Sequence, residues 1–168
     1  MGRWRAPQPR GSHYITQHGY ATLETELRDK WLLRREVVKI LSAAAAEGDR
    51  SENAEYIYRK KQLREIDRRI RYLQKRIDEL TIVNTIPDDI SRVFFGAIVT
   101  LETEQGEEIC YQIVGPDEFD IAKGKISMDA PVAQALMKKS LDDEVSVQLP
   151  EGIQRFIIVN VKYEEQNS

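Results

Sequence analysis

The sequence contains very little cysteine and histidine, and this shortage excludes several kinds of site. Among 168 residues, Cys110 is the only cysteine, and His13 and His18 are the only histidines. A single cysteine cannot form an internal disulfide, and these three side chains do not make a ligand set for structural zinc. Because both histidines lie near the start of the chain, no Ser-His-Asp arrangement for nucleophilic catalysis is evident.

Long apolar runs are also missing. The longest candidates, residues 43–46 and 156–159, fall far short of the ~20 apolar residues that a bilayer crossing needs. The basic start of the chain continues into Pro7, Gln8 and Pro9 instead of the apolar segment of a secretory signal. We therefore expect a cytoplasmic protein without a membrane partner. The chain also has neither a Walker-type phosphate loop nor an HExxH zinc motif.

Charge is plentiful but unevenly distributed. The net charge is -3, yet residues 1–84 hold 18 Lys and Arg against 12 Asp and Glu, a net of +6, whereas residues 85–168 hold 7 against 16, a net of -9. Within residues 59–76, nine basic side chains are accompanied by only two acids, Glu65 and Asp67. Such a run fits either a solvated helix face or an electrostatic surface for phosphate groups.

The pattern of residues 16–84 predicts an antiparallel coiled-coil hairpin. Thr16 suits the N-cap of a long first helix that runs to the alanines ending at Ala46, and Gly48 tolerates the left-handed backbone that often ends helices. Charged Lys30 and Arg34 interrupt the apolar pattern of this helix, so we expect less regular pairing there. The second helix has apolar residues at the alternating spacing of a coiled-coil seam, namely Leu63, Ile66, Ile70, Leu73, Ile77 and Leu80.

The residues on either side of the hairpin have different patterns. Residues 1–15 are interpreted as a flexible N-terminal arm or, from the stretch 9–13, as an expression-vector remnant. Residues 85–168 contain five short β-prone segments, at 94–101, 109–114, 125–128, 144–149 and 155–161, with a short helix near Pro131 between the third and the fourth. The predicted fold is therefore α+β: a two-helix hairpin followed by a small antiparallel β domain with one short helix.

The connection between the two predicted helices is rich in carboxylates. Asp49, followed three residues later by Glu52, matches a capping box, and acids in a first helical turn also interact favourably with the helix dipole. The same two side chains offer oxygen ligands suited to Mg²⁺, but they would bind the ion weakly unless a partner supplied the other ligands. Such an ion can activate a water for attack on a phosphodiester. Both interpretations stay open, and the spacing by itself favours capping.

The residues at this connection and after it resemble a known family. The motif Gly48-Asp49-Arg50-Ser51-Glu52-Asn53-Ala54-Glu55-Tyr56 is followed by Tyr58, Lys60, Lys61 and the segment LREIDRRIRYL at residues 63–73. This combination resembles bacterial transcript cleavage factors of the Gre type, in particular the GreB-like branch, over about residues 16–163. The resemblance implies a coiled coil that enters the secondary channel of RNA polymerase. It also implies that residues 85–168 form an FKBP-like domain that docks on the polymerase outside the channel.

The resemblance further implies roles for individual residues. Asp49 and Glu52 would help to hold a Mg²⁺ shared with RNA polymerase and to activate the water that cleaves backtracked nascent RNA, so the protein would be an accessory factor and not itself an enzyme. Asp129 and Pro131 would contact the polymerase, although the same pair fits the N-cap and first position of the short helix. The remaining sets are Gly48, Ser51, Asn53 and Tyr56, which would support the tip, and Lys60, Lys61, Arg64, Arg68 and Arg71, which would bind extruded RNA.

Other functions remain open. A Gre-like protein could occupy the channel and regulate or inhibit the polymerase without stimulating cleavage, although the presence of both Asp49 and Glu52 disfavours this. An FKBP-type prolyl isomerase or a coiled-coil chaperone is a second alternative. Residues 85–168 contain no Trp and only four Phe, a poor set for an aromatic proline pocket, and a shared fold does not carry the activity over. An independent nuclease would have to cut naked RNA without polymerase.

Overall fold

The structure, a computed structural model, describes residues 11–48 and 53–164. It divides into two compact units: one is His18–Leu80, and the other combines the residues up to Gln17 with those from Thr81 onwards. The sequence pattern placed the end of the hairpin near residue 84, and the hairpin unit ends at Leu80. The predicted α+β class is confirmed.

Two long helices form the first unit. Helix α1 spans Gln17–Ala46 and helix α2 spans Ala54–Glu79. They run antiparallel, because Glu26 contacts Arg69 near one end of the pair and Ala44 contacts Asn53 at the other. The predicted seam is confirmed in α2, where Ile66, Ile70 and Leu73 are buried and Leu63 and Ile77 are partly buried.

Ion pairs fill the hairpin where the apolar pattern of α1 is interrupted. Arg34, which occupies a seam position, places Nε 2.7 Å from Oδ1 of Asp67. Closer to the start of α1, both carboxylate oxygens of Glu26 accept from Arg69, at 2.7 and 3.0 Å. Next to these ion pairs, Val37 packs with Ile66 and Ile70 in a small apolar cluster. Polar contacts therefore alternate with apolar packing along the hairpin, which accounts for the irregular pattern of α1.

The N-terminal residues are part of the second unit. Strand β1, Tyr14–Ile15, pairs in parallel with strand β2, Thr81–Ile82. Ile15 is fully buried, and Thr16 donates its backbone N–H and its hydroxyl to the carboxylate of Glu118. The prediction of a flexible arm through residue 15 is thus wrong for Tyr14 and Ile15, because long-range pairing that the local sequence does not reveal holds them in place.

The rest of the second unit is a five-stranded sheet with one short helix, α3, at Pro131–Leu136. Strands β3 (Ile98–Thr103), β4 (Glu108–Val114), β5 (Lys125–Ser127), β6 (Glu144–Leu149) and β7 (Gly152–Lys162) occur in the spatial order β5-β4-β3-β7-β6. All neighbours are antiparallel except β4 and β5, which are parallel. The sheet is therefore antiparallel, as predicted, except at one edge, where β5 runs parallel to β4.

One face of this sheet supports the core of the unit. Val99, Leu101 and Ile158 from its central strands are fully buried and pack with Ala133 and Leu136 of α3. Burial of alternate residues along β3 and β6 agrees with strands that have one face covered and the other wetted. Among the described residues, no helix has the length and apolar character needed to cross a bilayer.

Candidate functional site

The connection between α1 and α2, residues 47–53, is here called the tip. Helix α1 ends at Ala46, and Gly48 follows with φ +133°, a backbone conformation that favours glycine. On the other side, Oδ1 of Asn53 accepts from Tyr56 N at 3.1 Å, while its Nδ2 donates to Ala44 O at 2.8 Å. One amide side chain thus caps the start of α2 and satisfies a carbonyl in the last turn of α1. Gly48 and Asn53 thus lie on either side of the acidic pair in the tip.

The predicted catalytic pair falls inside this short connection. Asp49, Ser51 and Glu52 lie outside the described residues, so their roles stay predictions. The N-cap of α2 is Asn53, which corrects the interpretation of Asp49 as a capping residue. Within residues 11–48 and 53–164, no group of three or more His, Cys, Asp or Glu side chains is arranged to hold a metal ion.

Six exposed cations of α2 form a surface that we call the basic stripe: Lys60, Lys61, Arg64, Arg68, Arg71 and Lys75. It contains all five residues predicted to contact RNA. From Lys61 onwards its members recur every three or four residues, so they share one face of the helix, roughly opposite the buried seam. In the described part of the chain none of the six is in an ion pair. The stripe extends about 22 Å along the helix axis at 1.5 Å per residue.

The other three cations of this run have partners within the hairpin. Arg59 lies 3.0 Å from Glu55, Arg69 contacts Glu26, and Arg76, which is nearly buried, lies 3.9 Å from Glu79. Although Arg76 belongs to the same basic run, it is buried and is therefore not part of the exposed cationic surface. Because of its helical phase, this side chain points into the structure while Lys75 points out.

The pairing of Glu26 with Arg69 also sets the ionisation of the carboxylate. Hydrogen bonds from Arg69 lower the pKa of Glu26 below its ordinary value. Partial burial acts in the opposite direction, and the positive charges of Arg69 and Lys30 add to the lowering. Glu26 is therefore held in its charged form, which keeps the Arg69 guanidinium in place.

Two tyrosines of α2 that sequence reasoning did not assign to a role have arginines over their rings. The guanidinium of Arg59 lies 5.2 Å from the ring centre of Tyr58, and that of Arg69 lies 5.2 Å from the ring centre of Tyr72. Tyr58 is 59% exposed and Tyr72 is 49% exposed. An aromatic residue next to an arginine, repeated within a basic helix, was the signal available in the sequence.

The predicted docking residues lie just before α3 and at its start. Pro131 is the first residue of α3, as expected, but the N-cap is Ala130, which corrects the alternative interpretation of Asp129. The exposed carboxylate of Asp129 instead accepts from the backbone N–H of Ser12 at 2.9 Å and from the Ser12 hydroxyl. Gln134 donates from Nε2 to Met128 O at 2.8 Å and so braces the segment from its other side.

Comparison with known families accounts for almost all of the chain. Residues 13–82 match the profile of the N-terminal domain of transcription elongation factors, GreA_GreB_N. Residues 87–163 match the profile of the C-terminal domain of the GreA/GreB transcription elongation factors. The two matches meet close to the boundary between the hairpin and the sheet.

Curated relatives agree over nearly the full length. The chain is 56% identical to transcription elongation factor GreB of Xanthomonas axonopodis pv. citri, with 97% of this chain and 98% of the relative covered. It is 51% identical to GreB of Pseudomonas aeruginosa (97% and 98% covered) and 54% identical to GreB of Pasteurella multocida (92% and 98% covered).

Among solved structures, the GreA/GreB factor of Nitrosomonas europaea is 26% identical with a TM-score of 0.41, covering 90% of this chain and 100% of that one. GreA factor homolog 1 (Gfh1) of Thermus thermophilus is 25% identical with a TM-score of 0.40, covering 88% and 97%.

Proposed function

Because the chain belongs to the GreA/GreB family of transcription elongation factors, on the GreB side of it, we propose that it rescues arrested RNA polymerase by stimulating cleavage of backtracked nascent RNA. The observation that carries this proposal is a short connection between two long antiparallel helices that contains both Asp49 and Glu52 and is bounded by Gly48 and Asn53. In this proposal the protein is an accessory factor, and the polymerase performs the cleavage.

The donor set at the tip fits a shared Mg²⁺. Asp49 and Glu52 supply carboxylate oxygens, the ligand type that Mg²⁺ prefers, and Mg²⁺ is commonly bound by only one or two carboxylates of a given protein. When bound, the ion lowers the pKa of a coordinated water and orients it towards the phosphodiester. Since two carboxylates without further protein ligands would hold the ion weakly, the proposal requires the polymerase to complete the site.

The two helices can carry these carboxylates to a distant active site. Helix α1 has 30 residues and α2 has 26, which correspond to lengths of about 45 and 39 Å at 1.5 Å per residue. In this proposal, the hairpin enters the secondary channel of RNA polymerase with its tip first. The capping by Asn53 limits fraying where the two helices meet, so the carboxylates are delivered on a defined support.

The basic stripe is proposed to contact the extruded RNA. Its six cations are exposed and, among the described residues, make no ion pair, whereas Arg59, Arg69 and Arg76 are paired within the hairpin. Contacts of this kind position a strand without reading its sequence, so we expect little base specificity. Asp129 and Pro131 are proposed to dock the second unit on the polymerase.

A regulator that blocks the channel without stimulating cleavage is the main alternative. Such a protein needs no water-activating group, so the pair Asp49 and Glu52 favours cleavage. The test is release of 3′ RNA fragments from backtracked polymerase complexes in the presence of Mg²⁺. Asp49→Ala and Glu52→Ala should each lower the cleavage rate by about 10- to 100-fold or more, as loss of metal-supporting groups commonly does, while polymerase binding is retained.

The matched control for this test is Glu47→Ala. This substitution removes a carboxylate that lies within the tip and outside the proposed pair, so it should leave cleavage close to the wild-type rate. Equal cleavage by all three variants and the wild type would end the proposal. Fragment release from naked RNA without polymerase would show instead that the chain is an independent nuclease.

A further inference from the structure

Two tyrosine–arginine pairs on α2 have the same arrangement of side chains, and the proposed function gives neither pair a role. Arg59 lies over the ring of Tyr58 and donates hydrogen bonds to Glu55 and Gln62, at 3.0 and 2.8 Å. Arg69 lies over the ring of Tyr72 and is held by both carboxylate oxygens of Glu26. In both pairs the guanidinium is anchored by hydrogen bonds, so the arrangement of ring and cation is fixed before any partner arrives.

The position of the two pairs relative to the basic stripe is equally regular. Tyr58 has Lys61 three residues later, and Tyr72 has Arg68 four residues earlier and Lys75 three residues later. Residues three and four apart are neighbours on a helix surface, so each ring borders cations of the stripe. The two tyrosines are fourteen positions apart in the sequence, two heptads, which places them on nearly the same side of α2 and about 21 Å apart along it.

Exposed aromatic rings next to a line of cations are the surface that binds single-stranded nucleic acid without sequence preference. The cations track the phosphates, and every base offers a flat face that can stack on a ring. A neighbouring guanidinium adds a cation–π contribution.

We infer that Tyr58 and Tyr72 are stacking platforms for bases of a single RNA strand whose phosphates lie along the basic stripe. The inference rests on the proposed function, in which extruded RNA passes the hairpin. Bases stack on the two rings several nucleotides apart, while the stripe neutralises the phosphates between them. Because stacking is tolerant of base identity, this arrangement adds affinity without adding sequence specificity.

The experiment compares two probes with the intact protein. One is a short fluorescein-labelled oligouridylate, and the other is an abasic ribose-phosphate oligomer of the same length and charge. Wild-type protein should bind the oligouridylate more tightly. Tyr58→Ala and Tyr72→Ala should each weaken oligouridylate binding by about fivefold or more, as expected for one lost stack, with no change for the abasic probe. Tyr58→Phe and Tyr72→Phe should bind like the wild type, since they keep the ring.

The salt dependence separates stacking from phosphate contact. Loss of a ring should lower affinity at every salt concentration and leave the slope of log affinity against log salt unchanged, whereas loss of stripe cations should reduce that slope. Trp31→Ala is the matched control, because Trp31 is 43% exposed and has Arg34 at 5.9 Å from its ring but belongs to α1, outside the stripe. It should not affect either probe.

Several results would overturn the inference. These are equal affinity of wild type for the two probes, no effect of the tyrosine-to-alanine variants, or an equal loss on both probes. Reduced polymerase binding with unchanged RNA binding would assign the rings to a protein contact instead. Failure of the proposed function has a different signature: Asp49→Ala would retain cleavage, or a variant lacking the stripe cations would retain both its affinity and its salt slope.

Discussion

Asn53 shows how much one side chain contributes at the tip. Its carbonyl oxygen caps α2 and its amide nitrogen binds the carbonyl of Ala44 in α1. Asn53→Ala removes both contacts and should destabilise the hairpin by about 1–2 kcal/mol, the usual cost of a lost cap with a second hydrogen bond. Thermal unfolding followed by circular dichroism measures this loss.

Asn53→Asp is the informative companion variant. It retains the oxygen that caps α2 but cannot donate to Ala44, so it should recover most of the capping energy and still lose the contact between the helices. If Asn53→Ala and Asn53→Asp are equally destabilised, the contact to Ala44 is the dominant one. If neither is destabilised, Asn53 does not hold the tip.

Gly115 is required in the second unit because there is no room for a side chain at its position. A Cβ added at Gly115 would lie 2.0 Å from the backbone oxygen of Tyr14, so β1 would have to move away. Gly115→Ala should therefore destabilise the second unit by about 1–3 kcal/mol, as overpacking does, with a lower midpoint in urea. Gly11→Ala is the comparison, because its added Cβ would meet a proline side chain at 3.1 Å and should cost less. Equal midpoints for both variants would contradict this account of β1.

At the scale of elements, the ion pairs across the hairpin make its stability depend on pH. The pKa of Glu26 is lowered in the folded state by its hydrogen bonds to Arg69. A group with a lowered folded pKa stabilises the protein above its unfolded pKa, near 4.5, and this contribution is lost as pH falls through the folded value. Glu26→Gln should thus lower the melting temperature of the hairpin at neutral pH, and the difference from the wild type should shrink as the pH falls below that unfolded value.

The measurement for Glu26 is thermal unfolding over a series of buffers from neutral to acidic pH. Because both side chains are partly exposed, the difference at neutral pH should be about 0.2–1 kcal/mol. Glu65→Gln is the control, since Glu65 is an exposed acid of α2 with no ion pair in the described part of the chain. A constant difference between Glu26→Gln and the wild type at all pH values would argue against this linkage.

The elements also show what local sequence can and cannot predict. The seam of α2 was predictable because Leu63 to Leu80 repeats a period that only one helix face can satisfy, and the same phase determined which cations point outward. The N-cap was misassigned because two positions fit a capping residue, namely Asp49, with Glu52 three residues later, and Asn53. Only the observed start of α2 at Ala54 shows that the N-cap is Asn53. Strands β1 and β2 pair through only two residues each, and the paired residues are far apart in the sequence. No repeating pattern of apolar residues could therefore predict this pairing.

For the whole molecule, the division of charge corresponds to a division of tasks in the proposed function. The positive hairpin would approach RNA, and the negative second unit, net -9 for residues 85–168, would face the polymerase surface. This predicts that docking and catalysis can be separated by substitution. Asp129→Ala should raise the protein concentration needed for half-maximal cleavage by about 5- to 30-fold, as the loss of 1–2 kcal/mol of binding would, while cleavage at saturation stays at the wild-type rate.

Ser12→Ala is the control that makes this separation interpretable. Asp129 accepts from the backbone N–H and the hydroxyl of Ser12, so loss of its carboxylate also loosens the N-terminal segment. Ser12→Ala removes the hydroxyl contact and keeps the carboxylate, and it should therefore leave the half-maximal concentration nearly unchanged if Asp129 acts by docking. If Ser12→Ala reproduces the loss, Asp129 acts through the N-terminal segment. If Asp129→Ala lowers cleavage even at saturating protein, its role extends beyond docking, because a pure binding defect is overcome by concentration.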